Sequence, residues 1–83
     1  MVEEKQGNKV FIVLDTILKE YAGQKAKWEI TVEDNVTIKQ LLGKIGVPSH
    51  AVGFVLLKGE MINLDREVQN GDSYNVYPLL NGG

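Results

Sequence analysis

The stretch VTIKQLLGKIGVP, residues 36–48, carries the strongest constraint on the fold of this 83-residue chain. Thr37 stands three residues before Gln40, so its hydroxyl can accept from the Gln40 backbone while the glutamine side chain reaches back, the reciprocal pattern of a capping box. Val36 and Leu41 occupy the two positions of a hydrophobic staple across that cap. Ile38, Leu41, Leu42 and Ile45 recur at helical spacing and form one apolar stripe, which Gly46 and Pro48 close. Gly43, inside the helix, costs about 0.5–1 kcal/mol relative to alanine. A helix this short is marginal in water, so its stripe must be buried against another layer.

The flanking segments supply a sheet. KVFIVLD (9–15) is short, β-branched and apolar, the character of a strand buried in a sheet centre. TILKEYAGQ (16–24) changes period, which predicts one or two helical turns ended by Gly23. AKWEITVED (26–34) alternates, with Trp28, Ile30 and Val32 on one side and Lys27, Glu29, Thr31 and Glu33 on the other. VGFVLLKG (52–59) reads as a further strand, EMINLDREVQNGD (60–72) as a polar connection with a turn at Asn70-Gly71-Asp72, and SYNVYP (73–78) as the last strand, ended by proline. The expected fold class is α+β: a mixed sheet of four to five strands covered on one face by one main helix. The first and last strands are the most apolar, so they are expected side by side and parallel at the sheet centre. Residues 1–8 are expected to be a flexible leader, 9–78 the domain and 79–83 a flexible tail.

Composition excludes several function classes. At this size, with 43% hydrophobic residues, one core and one domain are expected. There is no cysteine, hence no disulfide framework, thiolate metal site or cysteine nucleophile. A net charge of −2 with interspersed signs offers no basic face for nucleic acid. No apolar run approaches the roughly 20 residues of a membrane span, and Met1–Lys5 lacks the look of a signal peptide, so a cytoplasmic protein without a membrane partner is expected.

Conventional active-site chemistry is also thin. His50 is the single histidine and reads as a loop residue. Glu60, Asp65, Glu67 and Asp72 read as a solvated acidic turn, without EF-hand spacing, and no metal site is expected. The glycines match neither GxxxxGK[ST] nor GxGxxG, and Ser49 and Ser73 have no base beside them in sequence. No autonomous catalysis and no bound cofactor are expected.

What remains is YPLLNGG, residues 77–83. A backbone carboxylate is ionised at neutral pH, with a pKa of roughly 3.3–3.7, and is a poor electrophile until another enzyme esterifies it. Gly82 and Gly83 carry no Cβ and suit a narrow channel. The six residues from Pro78 extend to roughly 20 Å, enough to pass a protein wall. Leu79 and Leu80 suit either docking in a partner's apolar groove or packing back on their own domain.

These residues resemble a known family. LKEYAG after the first strand, the helix TIKQLLGKIGV, and above all LKGEMINLDREVQNGDSYNVYPLLNGG are similar to the ubiquitin-like β-grasp sulfur carriers of the MoaD/ThiS type. The resemblance spans residues 9–83 and is greatest to small subunits of molybdopterin synthase. It implies that a partner uses ATP to adenylate the carboxylate of Gly83, that sulfur transfer makes it a thiocarboxylate, and that Gly82 lets it enter the site. The implied partners are an ATP-dependent activating enzyme and an acceptor, either the large molybdopterin synthase subunit or another sulfur acceptor enzyme. The family's contact positions fall on Met61 and Tyr77 and on Lys19, and Leu79, Leu80 and Asn81 are read as the part of the tail that a partner guides. In the molybdopterin branch the chain is the sulfur-donating small subunit of the synthase.

Three positions depart from the family pattern. Asp15 stands where an apolar residue is usual on the exposed sheet face, Leu79 replaces the second proline of PP tails, and Asn81 replaces a small residue before the glycines. VPSHAVGFVLLKGE and VYP also resemble ubiquitin-like domains attached to other proteins. The readings that stand beside the carrier are a protein modifier joined through Gly83 to lysines, a carrier for thiamin, tRNA or amino-acid thiolation, and an interaction module with an inert tail.

Overall fold

The computed structural model describes residues 7–80. Five strands make one sheet: β1 (Asn8–Leu14), β2 (Lys27–Val32), β3 (Val52–Leu57), β4 (Glu60–Ile62) and β5 (Ser73–Pro78), with one α-helix, α1 (Ile38–Lys44). Short 3-10 helices cover Leu18–Ala22 and Ser49–Ala51. The spatial order is β2-β1-β5-β3-β4. β1 and β5 run parallel, with Ile12 opposite Tyr74 and Leu14 opposite Val76, and the other pairs are antiparallel. The first and last strands thus sit side by side and parallel at the centre, as expected, although β5 (SYNVYP) is less apolar than β3 (VGFVLL).

The helix forms where its capping signals stand. Thr37 Oγ1 accepts from the Gln40 N–H at 3.1 Å, and Gln40 Oε1 accepts from the Thr37 N–H at 2.9 Å. The other two free donors of the first turn are met by the segment before β5. Ile38 N–H donates to Arg66 O at 2.9 Å and Lys39 N–H to Leu64 O at 3.0 Å, so with Thr37 and Gln40 all four N-terminal donors have partners. Ile38, Leu41, Leu42 and Ile45 are buried with Val10, Ile12, Leu14, Val55, Tyr74 and Val76, so α1 and one sheet face share one core. Gly46, at φ +98°, turns the chain out of the helix, and a side chain there would strike Tyr21 O.

One segment meets its sequence reading and another exceeds it. The turn after β1 is a 3-10 helix, Leu18–Ala22, closed by Gly23 at φ +67°. The 60–72 connection is more structured than a polar loop: it begins with β4, which pairs with β3 through the two-residue turn Lys58-Gly59, both at positive φ. It continues with buried Val68, whose N–H donates to Val36 O at 2.8 Å. The Asn70-Gly71-Asp72 turn forms as expected and docks on the start of β1: Lys9 N–H donates to Asn70 Oδ1 and Gly71 N–H to Lys9 O, each at 2.8 Å. The result is the β-grasp architecture, a mixed five-stranded sheet with one helix across it.

Candidate functional site

One face of the sheet is covered by α1 and the other is open. Alternation places Val55, Tyr74 and Val76 inward, and turns Phe54 and Leu56 of β3, Asn75 and Tyr77 of β5 and Met61 of β4 outward. Phe54 lies opposite Tyr77, and the two rings stack with centroids 4.8 Å apart and planes 13° from parallel. Leu56 lies opposite both Asn75 and Met61, and Met61 is 70% exposed. Phe11 and Val13 carry this apolar character onto β1, and the exposed ion pair Lys9–Glu29 (3.2 Å) borders it toward β2. Such a pair adds little stability, about 0–1 kcal/mol, so its effect here is to mark a polar rim.

The chain leaves the sheet at the same place. Pro78, the last residue of β5, lies opposite Val52, next to the Phe54–Tyr77 pair. Leu79 N–H then donates to Ala51 O at 2.9 Å, a bond that a proline at 79 could not make. The side chains of Leu79 and Leu80 are 61% and 72% exposed, so they do not pack back on the domain.

The predicted site residues therefore divide. Tyr77, Met61, Leu79 and Leu80 belong to the open face and the start of the tail. Lys19 lies on the 3-10 helix Leu18–Ala22, which packs against β5, and its N–H donates to Asp15 O at 3.1 Å. Asn81, Gly82 and Gly83 lie outside the described residues. Asp15 extends the β1–β5 pairing through its N–H to Val76 O (3.0 Å), and with Tyr77 it lines a hollow of about 190 Å³ at the end of those strands. The sequence reading missed Phe54 and Leu56. VGFVLL is apolar at nearly every position, so only the pairing of β3 with β5 shows which residues face out.

The remaining chemistry-bearing groups have structural partners or lie apart. His50 is exposed in the 3-10 turn Ser49–Ala51, and no group of three His, Cys, Asp or Glu among the described residues is placed to hold a metal ion. The Tyr74 hydroxyl donates to Asp72 Oδ2 at 2.7 Å and accepts from Gln69 N–H at 3.4 Å. Burial, then the bond to Asp72, pushes that phenol well above the ordinary tyrosine range. It ties the turn before β5 to the core. Among the described residues no helix is long and apolar enough to cross a membrane.

Residues 9–82 match the family described as Mut7-C ubiquitin. Comparison with curated proteins finds no match. Among solved structures, the chain is similar to a Pyrococcus furiosus protein assigned as molybdopterin converting factor, subunit 1, at 18% identity and TM-score 0.68, covering 88% of this chain and 99% of that one. Small archaeal modifier protein 1 of H. volcanii matches at 21% identity and TM-score 0.66, over 89% of this chain and 100% of that one. A ubiquitin of Caldiarchaeum subterraneum matches at 19% identity and TM-score 0.59, over 93% and 99%. At these identities the likeness is one of fold, and it agrees with the MoaD/ThiS-type, ubiquitin-like resemblance drawn from sequence.

Proposed function

The chain belongs to the Mut7-C ubiquitin family, and from that premise we propose that it is a sulfur carrier whose reactive group is the carboxylate of Gly83. An ATP-dependent activating enzyme joins a carboxylate oxygen to the α-phosphorus of ATP and releases pyrophosphate. A sulfur nucleophile at the level of hydrosulfide then attacks the carbonyl carbon and displaces AMP, leaving a thiocarboxylate. The thiocarboxylate sulfur attacks a carbon of the acceptor, most simply a cyclic pterin precursor held by a large synthase subunit, as in molybdenum or tungsten cofactor assembly, and displaces an oxygen substituent there. Water then hydrolyses the thioester, which leaves the sulfur on the acceptor and returns the Gly83 carboxylate. The chain itself binds no cofactor and acts in the cytoplasm.

The observation that carries this reading is where β5 ends. A central strand delivers Leu79 and Leu80 into solvent beside the stacked Phe54–Tyr77 pair, so a partner that grips the open face stands next to the tail. Gly82 then passes the partner's wall without a side chain to obstruct it. Incubated with its cognate activating enzyme, ATP and a sulfur source, the protein is expected to gain the mass of one oxygen-to-sulfur exchange at Gly83. An unchanged Gly83 in the presence of a competent enzyme rules the reading out.

A second reading is favoured by the modifier and the ubiquitin among the similar structures. In it the same activated Gly83 acylates a lysine amine, with AMP or a carrier thiol as the leaving group. Recovery of Gly83 in isopeptide linkage from cells, without a thiocarboxylate form, selects it.

A further inference from the structure

The backbone of residues 51–53 touches the backbone of residues 78–79 at two points. Gly53 sits at a register shift in β3, between the Val52–Pro78 and Phe54–Tyr77 pairs. A Cβ at Gly53 would meet Pro78 O at 2.5 Å, Pro78 C at 2.9 Å and Leu79 Cα at 3.1 Å. The glycine is therefore required by space: any side chain pushes the tail away from β3. The second point is the bond from Leu79 N–H to Ala51 O at 2.9 Å. Regular strand pairing ends at Pro78, but attachment of the chain continues one residue further.

We propose that Ala51 and Gly53 clamp the root of the C-terminal tail, with Gly53 as a positioning residue that fixes where and in which direction Leu80 leaves the body. This rests on the sulfur-carrier reading for its use and on the contacts above for its existence. The clamp sets the reach. Six residues from Pro78 span up to roughly 20 Å, whereas the four from Leu80 span at most about 13 Å. An enzyme that processes Gly83 must bring its reactive centre within that shorter distance, and so must stand over the end of the sheet where Phe54 and Tyr77 stack. Body and chain end are then recognised together, and a tail of correct sequence on a loosened root is a poorer substrate. Freeing Leu79 adds a residue that must be ordered on entry, which weakens binding on the order of tenfold.

Two measurements on the full chain test the clamp. In 15N relaxation, order in the wild type is expected to persist through the Leu79 amide and to drop at Leu80. In Gly53→Ala the Leu79 amide is expected to become mobile while Tyr77 stays ordered. With the cognate activating enzyme, Gly53→Ala is expected to raise the KM for the carrier on the order of tenfold with kcat unchanged. Leu79→Pro removes the donor to Ala51 together with the leucine side chain, so a KM higher than that of Leu79→Ala, which keeps the N–H, serves in place of Gly53→Ala if that variant does not fold. Gly43→Ala, where a Cβ meets nothing within 4 Å, should leave KM and the Leu79 amide as they are. A Leu79 amide as ordered in Gly53→Ala as in the wild type overturns the clamp, and so does an unchanged KM beside a freed amide. Should the wild type never be activated, the carrier reading fails, and the clamp is decided by the relaxation result alone.

Discussion

Phe54 and Tyr77 stack nearly parallel on the open side of the sheet, joining β3 to the strand from which the tail departs. Aromatic pairs of this kind contribute about 0.5–1.5 kcal/mol beyond their buried area. Because both rings are only partly covered, Tyr77→Ala is expected to lower unfolding stability in urea by about 1–2 kcal/mol and leave the fold intact. At the centre of a partner interface the same truncation costs about 2 kcal/mol or more of binding, so titration calorimetry against the activating enzyme should show a loss of at least thirtyfold. Binding that stays within a few-fold of wild type removes the pair from the interface.

Leu80 is 72% exposed and makes no contribution to the core. Leu80→Ser should therefore change stability by no more than about 0.5 kcal/mol. If the leucines dock in an apolar groove, the lost burial is about 1.5–3 kcal/mol, more than tenfold in kcat/KM for activation. Equal kinetics for the wild type and Leu80→Ser would show that the tail is read through its backbone alone.

The cap of α1 gives a stability prediction independent of function. Thr37→Ala removes the acceptor of the Gln40 N–H and one half of the capping box, an expected loss of about 1 kcal/mol within a range of 0.5–2. Thr37→Ser retains the oxygen and should recover most of that loss in the same urea titration. Equal losses for alanine and serine would mean that the methyl group rather than the hydroxyl matters.

These elements also mark what the sequence could reveal. The helix was legible because its signals are local: cap, stripe and terminating glycine all lie within residues 36–48. The central placement of β1 followed from its apolar composition, whereas β5 (SYNVYP) is less apolar than β3 (VGFVLL) and owes its place to pairing with distant parts of the chain. β4 was not legible, because Glu60-Met61-Ile62 is too short to show a period and gains its identity by pairing with β3. Lys58-Gly59, two positive-φ residues between the paired Leu57 and Glu60, was its one available signal. Gly53 likewise reads in sequence as a weak spot in an apolar strand. Its meaning is the nearness of Pro78, some 25 residues later in a chain of 83.

Tyr74 gives the pH prediction. Its phenol is held neutral by burial and by donation to Asp72 Oδ2, so its folded pKa lies above the unfolded value of about 10. Below that unfolded value both states carry the proton, and the stabilisation from this group is fully present. Above it the unfolded chain loses the proton while the folded chain keeps it, so stability falls as pH rises toward the folded pKa, by up to about 1.4 kcal/mol per pH unit. Tyr74→Phe keeps the ring but removes both the proton and the bond to Asp72. It is expected to be less stable than the wild type by about 1–2 kcal/mol at pH 7. Its stability should also decline less steeply than that of the wild type between pH 10 and 11.5. The difference between the two urea-derived stabilities, plotted against pH, should thus be flat to about pH 9.5 and shrink above it. A difference that stays constant to pH 11.5 would mean that the Tyr74 hydroxyl ionises as readily in the fold as in the unfolded chain.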